Sequence, residues 1–191
     1  FMHPEVHVGD EIYEGKLTNY LPKPQSYLVQ VFFHELAWKV VRTLLFLPFF
    51  AIILLVFHSF VDFSVVKNVG LVLIALLLAL LVFFLVALCV GFVSFWFEES
   101  YPARALFWIT SGLFGGLYLP LEFFPQWLQR IADFLPFKYA IYFPLQVFVG
   151  NVNSIQMRQG FVGQLIWLGL LFALVTLLWR RGLRRYSAVG R

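Results

Sequence analysis

Four stretches of the chain are long, apolar and poor in charge, and polar segments separate them. A helix needs about 20 apolar residues to cross the hydrocarbon core of a bilayer. Residues 37–57 form the first stretch, uninterrupted from 44 to 57, with Lys39 and Arg42 just before that part and Pro48 inside it. Lysine and arginine at such positions can reach the interface along their own methylene stems, and the proline predicts a kink. Residues 69–97 carry no charge anywhere along their length and make the clearest span. Residues 105–119 are shorter and rich in glycine. Residues 161–179 are uncharged and stop at Arg180. The pattern predicts four spans, at about 37–57, 69–97, 105–119 and 161–179, within a membrane domain of residues 37–191. A polar lead-in of residues 1–36 precedes it. There, Leu21-Pro22-Lys23-Pro24 breaks regular structure, and residues 26–36 have the pattern of a short amphipathic helix feeding the first span.

The segment between the third and fourth stretches is patterned too. Pro125 opens a helical run in which Trp127, Leu128, Ile131, Phe134 and Leu135 share one face. Gln126, Gln129, Arg130 and Asp133 share the other. Pro136 ends it. A second apolar piece, residues 139–149, contains Pro144 and stops at Gly150-Asn151. Neither piece is long enough to cross alone. Residues 120–150 therefore read as a re-entrant or interfacial helical hairpin.

Composition supports an all-α, polytopic helical bundle. The chain is 61% hydrophobic and 13% charged, whereas soluble domains run at about 45–50% and about 25%. So much apolar surface needs lipid to cover it. The distribution of charge then sets an orientation. With the C-terminus in the cytoplasm, residues 1–42, 98–104 and the basic tail 180–191 lie on that side with ten lysines and arginines, Arg180, Arg181, Arg184 and Arg185 among them. Lys67, Arg130, Lys138 and Arg158 lie on the other side. An excess of basic residues marks the cytoplasmic face. The arginine cluster reads as a topology anchor in contact with anionic lipid headgroups. A single cysteine, Cys89, excludes an internal disulfide.

No catalytic, cofactor-binding or metal-binding set emerges. The nearest approach to a phosphate-binding loop, Gly15-Lys16-Leu17 after Gly9, has the wrong glycine spacing, and leucine stands where a hydroxyl would hold magnesium. His34-Glu35 is followed by Trp38 where a zinc-protease helix needs its second histidine. Ser111 lacks a histidine at its depth. The centres of the later spans hold no ionisable group of the kind that marks a proton or ion path. Gly112, Gly115 and Gly116, with Ser111, suit close helix packing or a flexible element beside a path. Glu98, Glu99 and Arg104 form a solvated turn or a contact for a partner. Glu122 and Asp133 read as solvated interfacial positions. Nothing points to nucleic acid.

Three segments resemble one family. Pro120-Leu-Glu-Phe-Phe124-Pro125-Gln-Trp127-Leu128, followed by Leu135-Pro136-Phe137, Tyr142-Phe-Pro144 and Gly150, resembles the re-entrant region before the last span of type-2 ABC transporter permeases. Gly15-Lys-Leu17-Thr-Asn-Tyr-Leu21-Pro-Lys-Pro24 resembles the cytoplasmic segment before their third span, and Trp179-Arg-Arg-Gly182-Leu-Arg-Arg-Tyr186-Ser187 their C-terminal tail. The likeness is to a bacterial branch of largely uncharacterised permeases. It implies six spans, of which the four here are the last, and hence a chain truncated at its N-terminus, in keeping with Phe1 where a methionine would start.

The resemblance also implies the bacterial plasma (inner) membrane, an exporter, and a pair of permease subunits, identical or related. ATP and Mg belong to a separate ABC ATPase subunit, and this chain binds no cofactor itself. Short coupling helices seat on the ATPases. By position, residues 10–36 are the main candidate, with Gly15, Leu17, Leu21 and Pro24 singled out. Glu98, Glu99 and Arg104 form a second candidate. Pro120, Phe124, Pro125, Trp127, Pro136, Phe137, Pro144 and Gly150 would form an outer gate. The alternatives are a non-transporting membrane scaffold or assembly protein and, less favoured for want of paired polar residues at one depth, an intramembrane enzyme. The substrate is not legible.

Overall fold

The structure is a computed structural model, and it describes residues 3–20, 26–56, 69–97 and 100–186. Every regular element among them is helical: α1 (Pro4–Tyr13), α2 (Tyr27–Val56), α3 (Val69–Gly91), α4 (Tyr101–Phe114), α5 (Gln126–Asp133), α6 (Phe143–Val149) and α7 (Ser154–Arg185). Short 3-10 turns follow α1 and extend α3, and a π-helical turn, Lys138–Tyr142, runs into α6.

Uncharged α3 is the axis of the bundle. Small residues at Ala75, Ala79, Ala87 and Gly91 let neighbours approach, and all four are buried. The C-terminal end of α3 packs under α1 and against α7, with Val8, Ile12, Leu17, Tyr27, Leu88, Phe92 and Val175 in one inner core. Its middle meets α4, the π turn and α7 through Val82, Phe83, Phe107, Phe137 and Leu171. Its N-terminal part meets α6 through Val72, Ala75, Phe143 and Val147. In lipid, swapping one apolar neighbour for another gains little, so close fit carries the packing. Here the fit is ring on glycine. A methyl group at Gly160 would overlap the ring of Phe143, one at Gly163 the ring of Tyr139, and one at Gly182 the ring of Phe95.

Several elements differ from their sequence-based expectation. Among the described residues three helices, not four, are long and apolar enough to cross a membrane: Tyr27–Ile53, Val69–Phe95 and Ser154–Arg185. The third apolar stretch is helical only over Tyr101–Phe114, about 21 Å of rise. Gly116, at φ 75°, then reverses the chain. The amides of Leu117 and Tyr118 both donate to the Gly112 carbonyl, at 2.9 and 3.3 Å. Gly112 leaves the space that the Tyr118 ring occupies.

The amphipathic run 26–36 and the first apolar stretch form one helix, continuous through Pro48, because a helix can lose one amide donor and continue where nothing else stops it. Phe57, the expected end of that span, lies outside the described residues. Helix α7 exceeds its apolar run at both ends. Asn153 caps it in a reciprocal capping box with Gln156, and it continues through the arginines to Arg185.

Candidate functional site: a helical hairpin at one end and a buried polar knot at the other

The hairpin end is built from proline punctuation. Pro120 precedes a 3-10 turn, Leu121–Phe123, and Pro125 caps α5. Pro136 sets off the π turn, Pro144 sits in the first turn of α6, and Gly150, at φ 72°, ends it. Phe124 is buried with Leu121 and Ala132. Phe137 is buried in the middle core beside Phe107. Trp127, by contrast, is 63% exposed and Phe134 81%. The apolar face of α5 is therefore divided: Trp127 and Phe134 point away from the protein, while Leu128 packs on the Leu121–Phe124 cluster and Leu135 on the middle core. The residues grouped as a gate are not one cluster: Phe124, Pro136, Phe137 and Pro144 are packed inside, while Trp127 faces out.

Glu122 and Asp133 are exposed but not merely solvated. The Tyr142 hydroxyl donates to the Glu122 carboxylate, which also accepts weakly from Gln146 at 3.5 Å. Asn151 donates to Gln146 at 3.0 Å. Lys138 pairs with Asp133, and the Tyr139 hydroxyl donates to the Asp133 carbonyl at 3.0 Å. Gln129 holds the Phe124 carbonyl at 2.8 Å, tying α5 to the turn before it. Burial first, and the Glu122 bond second, push the Tyr142 phenol well above its usual range, so it remains a donor. Between the hairpin and the start of α7 lies a cavity of about 780 Å³.

Gln164, absent from the expected sites, is the polar residue that joins these elements. It is fully buried in α7. Its amide nitrogen donates to the Ala75 carbonyl of α3 and to the Tyr139 carbonyl of the π turn, both at 3.0 Å. A lone amide inside the uncharged run 161–179 was the signal available in the sequence.

At the other end, α1 is knotted to its neighbours. The Tyr27 hydroxyl donates to Glu11 at 2.5 Å, and its ring stacks on Trp179. The His3 amide donates to Glu35 at 3.0 Å. His7 stacks on His34. Arg104 of α4 reaches Asp10 of α1 at 3.1 Å. Glu5 is fully buried, with one carboxylate oxygen beside His3 and the other without a partner among the described residues. Burial raises its pKa despite its hydrogen bonds and the nearby histidine.

Of the residues expected to touch an ATPase, Gly15, at φ 73°, starts the 3-10 turn, and Leu17 is fully buried in the inner core. A side chain so placed meets no partner directly. Leu17 thus lies inside the fold of its segment rather than on its surface. Arg104 is bound to α1, and Leu21, Pro24, Glu98 and Glu99 lie outside the described residues. Ser111 is buried, its hydroxyl donating to the Trp108 carbonyl one turn back, so its local role is within α4.

Among the described residues, three helices are long and apolar enough to cross a membrane, and shorter proline-bracketed helices lie between the last two of them. Over residues 1–190 the chain matches the family described as "ABC-2 family transporter protein", and it belongs to that family. No curated protein and no solved structure matches it. Family membership makes the chain a permease component of an ABC transporter, one that works with an ABC ATPase subunit and is generally not catalytic itself.

Proposed function

We propose that the chain is the permease subunit of an ABC exporter in a bacterial plasma membrane, with α1 and the C-terminus on the cytoplasmic side and the hairpin facing out. The observation that carries this reading is the match to the ABC-2 family along residues 1–190. The distribution of lysine and arginine supports the orientation. The segment from α1 through its 3-10 turn is the coupling surface. Its exposed residues Tyr13, Glu14, Lys16 and Asn19 meet the ATPase, while buried Leu17 holds the surface in shape. ATP and Mg bind on that ATPase. A second permease subunit, identical or related, completes the path, and closure of the ATPases drives a rigid-body switch between inward-open and outward-open states. The packed hairpin residues Phe124, Pro136, Phe137 and Pro144 are the outer gate.

The test is co-expression with the genes that flank this chain's own, followed by affinity purification and reconstitution into vesicles. The expected result is a stable complex whose ATPase rate changes when Tyr13 and Asn19 are replaced by aspartate. A chain that recruits no ATPase, or a complex whose ATP hydrolysis drives no flux of any compound, contradicts the reading and favours a scaffold.

A further inference from the structure

We propose that the cavity between the hairpin and α7 binds one phospholipid with a primary-ammonium headgroup, of the phosphatidylethanolamine type. Three observations lead there: the depth of the cavity, its two-sided lining and its charge.

The depth follows from α7. Its apolar run, residues 161–179, rises about 28 Å, close to the roughly 30 Å of a bilayer's hydrocarbon core. Residue 161 therefore marks the outer boundary of the hydrocarbon. The lining of the cavity extends along α7 from Gln156 to Ile166, from about 8 Å above that boundary to about 8 Å below it. That interval is the level of headgroup, glycerol and first methylenes.

The lining changes character at the same level. Above it on α7 stand Gln156 and Gln159, with Glu122, Tyr142, Gln146 and Asn151 completing the outer polar lining; the Lys138–Asp133 pair belongs lower, since the adjacent Tyr139 covers Gly163 and its carbonyl accepts from Gln164. Below the boundary on α7 are Val162, Gly163 and Ile166, and the side chains of Val162 and Ile166 are exposed to the surroundings of the bundle. A soluble ligand gains nothing from an apolar wall that opens sideways into the bilayer, whereas an acyl chain does. The volume, about 780 Å³, is that of a ligand pocket rather than a packing defect.

The charge selects the headgroup. Asp133 is neutralised by Lys138. Glu122 accepts only from neutral donors, Tyr142 and Gln146, and among the described residues it forms no ion pair. The cavity wall is left with one uncompensated carboxylate. An ammonium with N–H donors suits it. A trimethylammonium has no such donor, and an anionic glycerol headgroup brings like charge. Lys138 spends one of three donors on Asp133 and retains others for a phosphate.

The test is native mass spectrometry of the full chain in mild detergent. It is supplied with equal amounts of phosphatidylethanolamine, phosphatidylcholine and phosphatidylglycerol with matched acyl chains. One phosphatidylethanolamine is expected to be retained, favoured about fivefold over the others, as befits an incompletely buried charge pair. Glu122→Gln, which keeps the acceptor for Tyr142, should remove the preference among headgroups. Lys138→Gln should lower retention of all three lipids alike, a difference in kind that a general loss of fold would not produce. Equal retention of the three lipids by the unaltered chain, or an unchanged preference in Glu122→Gln, overturns the proposal. So does full displacement by soluble O-phosphoethanolamine, which has the headgroup without the chains. No ATPase is present, so failure here leaves the transport reading standing, and that reading can fail while the lipid still binds.

Discussion

Helices α2 and α3 are both long and apolar, yet they sit in opposite surroundings. In the most apolar 18-residue window of α3, 44% of residues are buried; in that of α2 none is. Hydropathy identifies both as able to cross a bilayer. It says nothing of what each touches, because lipid and protein interior look alike on a transfer scale. What separates them is side-chain size. Helix α3 mixes small residues, Ala75, Ala79, Ala87 and Gly91, among the larger valine, leucine and phenylalanine side chains of its buried positions. Past Arg42, α2 carries leucine, isoleucine and phenylalanine at nearly every position, with Ala51 alone among them. Residues with no neighbour within the chain can be large all round; residues at a close contact must leave room for the neighbour.

The comparison can be broken at graded points. The largest effect is expected at Leu17, fully buried in the inner core. Leu17→Asp should cost about 3–5 kcal/mol, because it strands a carboxylate among apolar neighbours, and should free α1 from α3. Limited proteolysis at residues 4–20 and thermal unfolding in detergent would record both, whereas Leu45→Asn, on exposed α2, should leave α1 protected. Next comes Gly160→Leu on α7, whose side chain collides with the Phe143 ring. Overpacking of that kind costs about 1–3 kcal/mol and should lower the unfolding temperature, while Ala51→Leu on α2 should not.

Smaller still is Gln164→Leu. It strips a donor from the Ala75 and Tyr139 carbonyls, at about 1–2 kcal/mol, and should raise hydrogen exchange in the hairpin more than in α2. The smallest effect concerns Glu5, whose pKa burial raises in the fold. Protonation there favours the folded state. The stabilisation is complete below the ordinary carboxyl value of 4.5 and fades as pH climbs through the raised folded value. Glu5→Gln should therefore be more stable than the parent at pH 7.5, with the gap closing towards pH 4.5. A gap that widens on acidification would reverse the assigned sign.

How much of this was legible follows from the kind of signal each element carries. Helices α3 and α7 announce themselves through uncharged runs long enough to span, and α5 through a proline followed by two-faced periodicity. The end of α4 was not legible: residues 115–119 are as apolar as the rest, and only the reversal at Gly116, with Tyr118 laid over Gly112, takes them out of the helix. The knot around α1 was hidden because Glu5, Glu11 and Glu35 read as solvent-facing until their partners on other helices are placed. Leu17 looked like a contact because the resemblance marked its segment, and one leucine in a polar stretch does not say whether it faces inward. Ring-on-glycine contacts pair residues at different distances along the chain, as with Gly160 and Phe143 or Gly182 and Phe95, and no periodicity reports them.

The central claim is that α1 and the hairpin occupy opposite faces of the membrane, one serving an ATPase and the other closing the outer end. Single cysteines at Tyr13 and at Phe134, both exposed, in a Cys89→Ala background, test it with a membrane-impermeant maleimide on intact cells. The account predicts that position 134 labels in intact cells and position 13 only after the membrane is opened. Labelling of position 13 from outside, or of both positions alike, would contradict it.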